Sequence, residues 1–155
     1  MTTTKRTKKY RGGRPGDGIK LKMQPWKVAA VMNPLTAILD QLEQQGTIDV
    51  AGADEPVFRD AVDGDWYHSP TAIMGVVEAY EIHERRQRID LHLDGLRKLA
   101  KALQYHMPIN QTQVDAARDS LAHIRAATIE MTAGYARDLI KDFQIMEGLQ
   151  AVGAT

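Results

Sequence analysis

The chain has 155 residues, no cysteine, a net charge of zero and 43% hydrophobic residues, enough for one domain with a core. The missing cysteines exclude a disulfide framework, a thiolate metal site and a cysteine nucleophile. No apolar run reaches the roughly 18 residues that a membrane span needs, and the first residues lack the apolar core of a secretory signal.

The zero net charge hides a strong asymmetry. Residues 1–27 carry nine lysines and arginines against one acid, Asp17, for +8; the rest of the chain carries −8. Eight acids and one base, Arg59, fall between Asp40 and Asp65. Such a split points to a basic arm with an anionic partner, or one that folds back on the chain's own acidic stretch.

Residues 1–24 read as that arm. The opening MTTTKRTKKYRGGRPGDG has little apolar area to bury, so flexibility is the expectation. Flexible cations neutralise phosphates and release counterions, and Tyr10 can stack on a base. The candidate nucleic-acid or partner-binding residues are Lys5, Arg6, Lys8, Lys9, Tyr10, Arg11 and Arg14. The glycines at 12, 13, 16 and 18 precede no Gly-Lys-Ser/Thr ending and follow no strand, so no nucleotide loop is read there.

Residues 25–155 read as a single helical domain. A short helix is expected over 25–32. A second starts at Asn33-Pro34, with Asn33 as cap and Pro34 at N1, and Leu35, Ile38, Leu39 and Leu42 share one face until Gly46. A third, shorter helix fits 56–62, and Asp63-Gly64-Asp65 makes a turn. Trp66 and Tyr67 are expected to dock on the open end of a helical hairpin that occupies the C-terminal half of the chain.

That hairpin is read as two long antiparallel helices, about 69–107 and 110–147. Ser69 can cap the first and Pro70 suits N1. Ile73, Val76, Val77 and Tyr80 lead into Ile82, Ile89, Leu93, Leu96, Ala100, Leu103 and Met107, which keep heptad spacing to Pro108. Asn110 and Gln113 suit a capping box, and Ile109 and Val114 a hydrophobic staple. The second seam runs Val114, Ala117, Leu121, Ile124, Thr128, Met131, Tyr135, Leu139, Phe143 and Met146. Each helix would be roughly 57 Å long. Gly75, Gly95 and Gly134 interrupt the helices and suit either close approach or a bend. The fold class is therefore all-α: a long hairpin packed with one or two shorter N-terminal helices. A hairpin leaves apolar surface that the 34–45 helix or a second chain must cover, so a homo-oligomer, dimer or higher, is expected.

Enzyme motifs are weak. A carboxylate-bridged di-iron site needs Glu-x-x-His, whereas Tyr80 precedes His83 and Ser120 precedes His123 by three. Glu81–Arg85 and Glu84–Arg88 read as i,i+4 ion pairs on a solvated face. Asp94, Asp119 and His123 are the one Asp/His group the hairpin register assembles, and Ser120 beside it has no strand, elbow or oxyanion donors. No catalytic residue, metal or cofactor is assigned.

The basic run ending in an aromatic (Lys5-Arg6-Thr7-Lys8-Lys9-Tyr10-Arg11), the Asn33-Pro34-Leu35-Thr36 helix start and the long helical C-terminal part together resemble short proteins of proteobacterial phages and prophages. The acidic stretch at 40–65 departs from that layout. The resemblance implies a context and no reaction: a non-enzymatic phage or mobile-element accessory protein in the host cytoplasm, binding DNA, RNA or a host protein. The alternative is an oligomeric assembly component of the virion.

Overall fold

A computed structural model describes residues 14–46, 49–51, 55–59 and 64–153. The fold is all-α with one small sheet. The helices are α1 (Pro25–Gln45), α2 (Ser69–Gln87), α3 (Asp94–Gln104), α4 (Gln111–Glu130) and α5 (Ala133–Gly153), and a single 3-10 turn, Leu21–Met23, precedes α1. Three antiparallel strands, β1 (Asp49–Ala51), β2 (Glu55–Arg59) and β3 (Trp66–His68), lie in the order β1-β2-β3. Among the described residues no helix is long and apolar enough to cross a membrane.

The hydrophobic seams are buried much as their periodicity requires. Ile73, Val77, Tyr80, Leu93, Leu96, Ala100 and Leu103 lie in the core, as do Val114, Ala117, Leu121, Ile124, Met131 and Leu139. The exceptions, Ile89, Met107 and Met146, are exposed. At the start of α4 the Asn110 side chain accepts from Gln113 N at 2.9 Å, and the Gln113 side chain accepts from Asn110 N at 2.8 Å. This is the reciprocal capping box.

The expected long hairpin is corrected in two places. The first helix stops at Gln87, turns through 88–93, and restarts as α3. Arg88 takes a left-handed conformation (φ 55°), and its N–H bonds to Glu84 O. The Glu84 carboxylate then accepts from Leu91 N at 2.8 Å. The second helix is cut at Met131-Thr132, where Met131 is extended (φ −74°, ψ 149°). Only the α3–α4 pair keeps the hairpin form. A Cβ on Gly95 would come within 2.3 Å of Ala116 O, so the two helices meet there at a distance that only glycine allows. Against α2, partner numbers ascend on both sides: Tyr80 with Thr128, His83 with Tyr135, Arg86 with Asp142. In an antiparallel hairpin they would descend, so α2 does not meet this part of the chain in the expected antiparallel register.

Four shorter readings also change. Helix α1 runs unbroken through Asn33-Pro34. Pro34 removes one i→i−4 bond, but Met32, Leu35, Ile38, Leu39 and Leu42 share a buried face that outweighs a local loss. Gly46 ends the helix in the left-handed region, as expected. The expected 56–62 helix is strand β2 over 55–59, because Pro56 and Phe58 alternate inward between exposed Glu55 and Arg59. Trp66 and Tyr67 belong to β3 and stay 53% and 42% exposed, so they are not docked on a helix end. Ser69 is not a cap: it is wholly buried inside α2, its hydroxyl has no hydrogen-bond partner, and His68 holds the N-cap position.

Helix α1 covers the hairpin by crossing α4. Arg118 of α4 reaches Asp40 at 2.9 Å and Glu43 at 2.8 Å. The pairs are half-exposed, so they fix the crossing more than they stabilise it.

Candidate functional site

The segment 14–24, read from sequence as the end of the basic arm, is bound to the helical body. It lies across the α4–α5 junction as a strap. Leu21 N donates to Met131 O (2.8 Å), Ala133 N to Ile19 O (2.8 Å) and Gly134 N to Asp17 O (3.0 Å). Lys20 and Thr132 form an antiparallel bridge. Each of these bonds satisfies a backbone group that the broken helix would otherwise leave unpaired. Gly134 permits the approach: a Cβ there would lie 3.0 Å from Asp17 Cβ.

Side chains tighten the strap. Asp17 accepts from Arg137 at 2.8 Å and from Arg14 N at 2.7 Å. The Arg137 hydrogen bond, followed by that from the Arg14 backbone, holds its carboxyl down at about 2. Lys20 Nζ meets Glu130 at 2.9 Å, which lowers the Glu130 carboxyl. The one acid of the 1–27 segment is therefore taken up internally, together with one of its nine cations.

Beyond the strap the chain turns outward. Lys22, Met23, Trp26 and Lys27 are exposed, while Leu21, Val28 and Met32 face the core. Among the described residues neither Lys22 nor Lys27 makes a salt bridge. Of the residues expected to contact a partner, Arg14 is described and sits at the outer end of the strap. Lys5, Arg6, Lys8, Lys9, Tyr10 and Arg11 lie outside the described residues.

The other clusters are structural in their bonding. The His92 and His123 rings are 4.5 Å apart beside a polar hollow of about 510 Å³ lined by Asp90, Asp94, Asp119 and Ser120. The Ser120 hydroxyl donates to His92 O and Ala116 O, and His123 Nδ1 faces Asp119 O at 2.9 Å. Asp94 pairs with Arg97, not with His123. Glu81 also pairs with Arg97 and Glu84 serves the 88–93 turn, in place of the expected i,i+4 bonds to Arg85 and Arg88. Among the described residues no group of His, Asp and Glu is arranged to hold a metal ion.

One part-buried polar chain escaped the sequence reading. His83 Nδ1 lies 2.7 Å from the Tyr135 hydroxyl, and the Arg86 guanidinium sits 5.4 Å from the Tyr135 ring centre while pairing with Asp142. Burial, aided by the Arg86 charge, pushes the His83 imidazole below its ordinary value. This chain ties α2 to α5. No motif spacing announces it, because its members meet only once the second helix has broken at 131–132.

The chain matches no protein-family model, no curated protein sequence and no solved structure.

Proposed function

We propose that this chain is a non-enzymatic accessory protein of a phage or mobile element that binds nucleic acid through its basic N-terminal segment, with the helical body as platform. The observation that carries the reading is the fate of the segment's charges. Asp17 is matched by Arg137, and Lys20 by Glu130. By composition the segment also carries Lys5, Arg6, Lys8, Lys9, Arg11, Arg14, Lys22 and Lys27, a cationic excess on a piece of chain fixed to the body at residues 17–21. A cationic segment with a fixed root suits a polyanion, since contacts to successive phosphates add up and each releases counterions. The non-enzymatic part rests on Ser120 and His123: the Ser120 hydroxyl and His123 Nδ1 face backbone carbonyls and not each other as nucleophile and base.

The test is a titration of mixed DNA and RNA at several salt concentrations. The unaltered chain should bind with a steep salt slope. Replacing Lys5, Arg6, Lys8, Lys9 and Arg11 by alanine should flatten the slope of log K against log salt by roughly 3–5 and weaken all sequences alike. An unchanged slope would refute the assignment.

A second reading, an assembly component of the virion, draws on α5. Ile140, Ile145 and Met146 are 50%, 53% and 40% exposed on that helix. A neighbouring subunit would cover such exposed apolar side chains, which stand on different sides of the helix. Sedimentation separates the readings: a large closed assembly favours the second, a monomer or discrete dimer the first.

A further inference from the structure

We propose that Trp26, at the centre of the exposed face of the 21–27 turn, is a stacking platform for an unpaired nucleobase. The protein would then take single-stranded nucleic acid in preference to duplex. The proposal rests on the phosphate-binding reading above and adds to it the form of the polymer and a named contact.

Trp26 is 64% exposed and Met23 is 68% exposed, although both lie beside a well-buried stripe of Leu21, Val28 and Met32. An indole left in water at the second position of a helix contributes little to the fold, so its surface is available to a partner. Lys22 lies four residues before Trp26, in the 3-10 turn that precedes α1, and Lys27 directly after it, both exposed. The first turn of α1 contains no acid. Along the same outward face the next positions are Ala30, Asn33 and Ala37, all uncharged. The acids at the strap, Asp17 and Glu130, are bound to Arg137 and Lys20. An aromatic face flanked by cations is the arrangement that binds single strands: the backbone follows the charge and a base lies on the ring. In a duplex the base faces are already stacked, and only edges are offered in the grooves.

Among the described residues the other exposed aromatics differ in setting. Trp66 and Tyr67 follow Asp65 and the acidic 40–65 stretch. Tyr105 shares its groove with Lys101, but also with the acid Glu78 and with Arg97, whose charge is engaged by Glu81 and Asp94.

The test uses the full chain carrying Trp66→Phe, so that Trp26 is the one indole. It is titrated with a short oligothymidylate and with an abasic strand of the same length, which keeps the phosphates and removes the bases. The thymidylate should quench Trp26 emission and the abasic strand should not. Trp26→Ala should weaken thymidylate binding roughly tenfold and leave abasic binding unchanged, with Trp26→Phe close to the parent. Since Trp26 is exposed, neither variant disturbs the core. Binding of both strands without quenching, or equal loss for both on Trp26→Ala, overturns the stacking site and leaves the phosphate reading standing. Failure to bind either strand overturns both.

Discussion

The two interruptions of the helical seams, at 88–93 and at 131–132, are made by opposite means. The first is assembled from its own neighbourhood. Arg88 adopts the left-handed cap, Ile89 N also bonds to Glu84 O, the Glu84 carboxylate takes Leu91 N, and Asp90 takes His92 N. The second is held open by chain from the other end of the sequence: the freed groups of Met131, Ala133 and Gly134 bond to residues 17–21. A helix can thus be broken in two ways, by side chains that replace its backbone partners or by a second backbone that does. The first break depends on local sequence, the second on the whole fold.

The difference is open to attack, and the largest effect is expected from Leu21→Ala. Leu21 is 4% exposed and anchors the strap, so its truncation should cost about 2–4 kcal/mol in urea unfolding. Hydrogen exchange at 131–134 should quicken while exchange at 88–92 stays as it was. Equal loosening at both breaks would show that they are one cooperative unit. Next, Glu84→Ala should cost about 1–2 kcal/mol by leaving the half-buried Leu91 N–H without its partner. Its exchange signature should be the reverse, confined to the first break. Arg88→Gly should act with the opposite sign, stabilising by about 1 kcal/mol, because glycine takes φ 55° without the Cβ contact. A loss of stability on this change would mean that the Arg88 side chain matters more than its backbone.

The smallest effect belongs to Asp17→Asn, and it depends on pH. The folded carboxyl is held at about 2, below its ordinary 3.8. Its contribution is therefore complete above about pH 4 and fades as pH falls through 2, where the carboxylate is protonated. Thermal unfolding of the parent and of Asp17→Asn should differ slightly at pH 6 and converge near pH 2. Curves that stay equally far apart at every pH would show that the side chain acts through shape and not through charge.

Legibility in the residues divides along the same line. The seam from Val114 to Leu139, the Asn110–Gln113 capping box and the Gly46 stop were legible because each is written within one or two helical turns. The break at 88–93 was not, since Glu84 and Arg88 fit an i,i+4 ion pair as well as they fit a cap. Residues 56–62 misled for a related reason. Val57, Phe58 and Val62 suit a short helix, and only pairing with β1 and β3 selects the strand. The strap, the His83–Tyr135 bond and the exposure of Trp26 are properties of the assembled molecule. The basic surplus was plain from composition, but not that Asp17 and Lys20 would be withdrawn from it by Arg137 and Glu130.

The strap also sets an order of events during synthesis. Lys20 and its partner Glu130 are 110 residues apart, and residues 17–21 leave the ribosome long before the 131–137 segment that receives them. At ordinary translation speeds the N-terminal segment waits roughly 5–20 s for its seat to be made. Lys20 lacks Glu130 throughout that interval, next to a ribosome coated in RNA phosphate. Closing the strap is a late long-range contact, so the seating of residues 17–21 reports that the chain has been made through the first turn of α5.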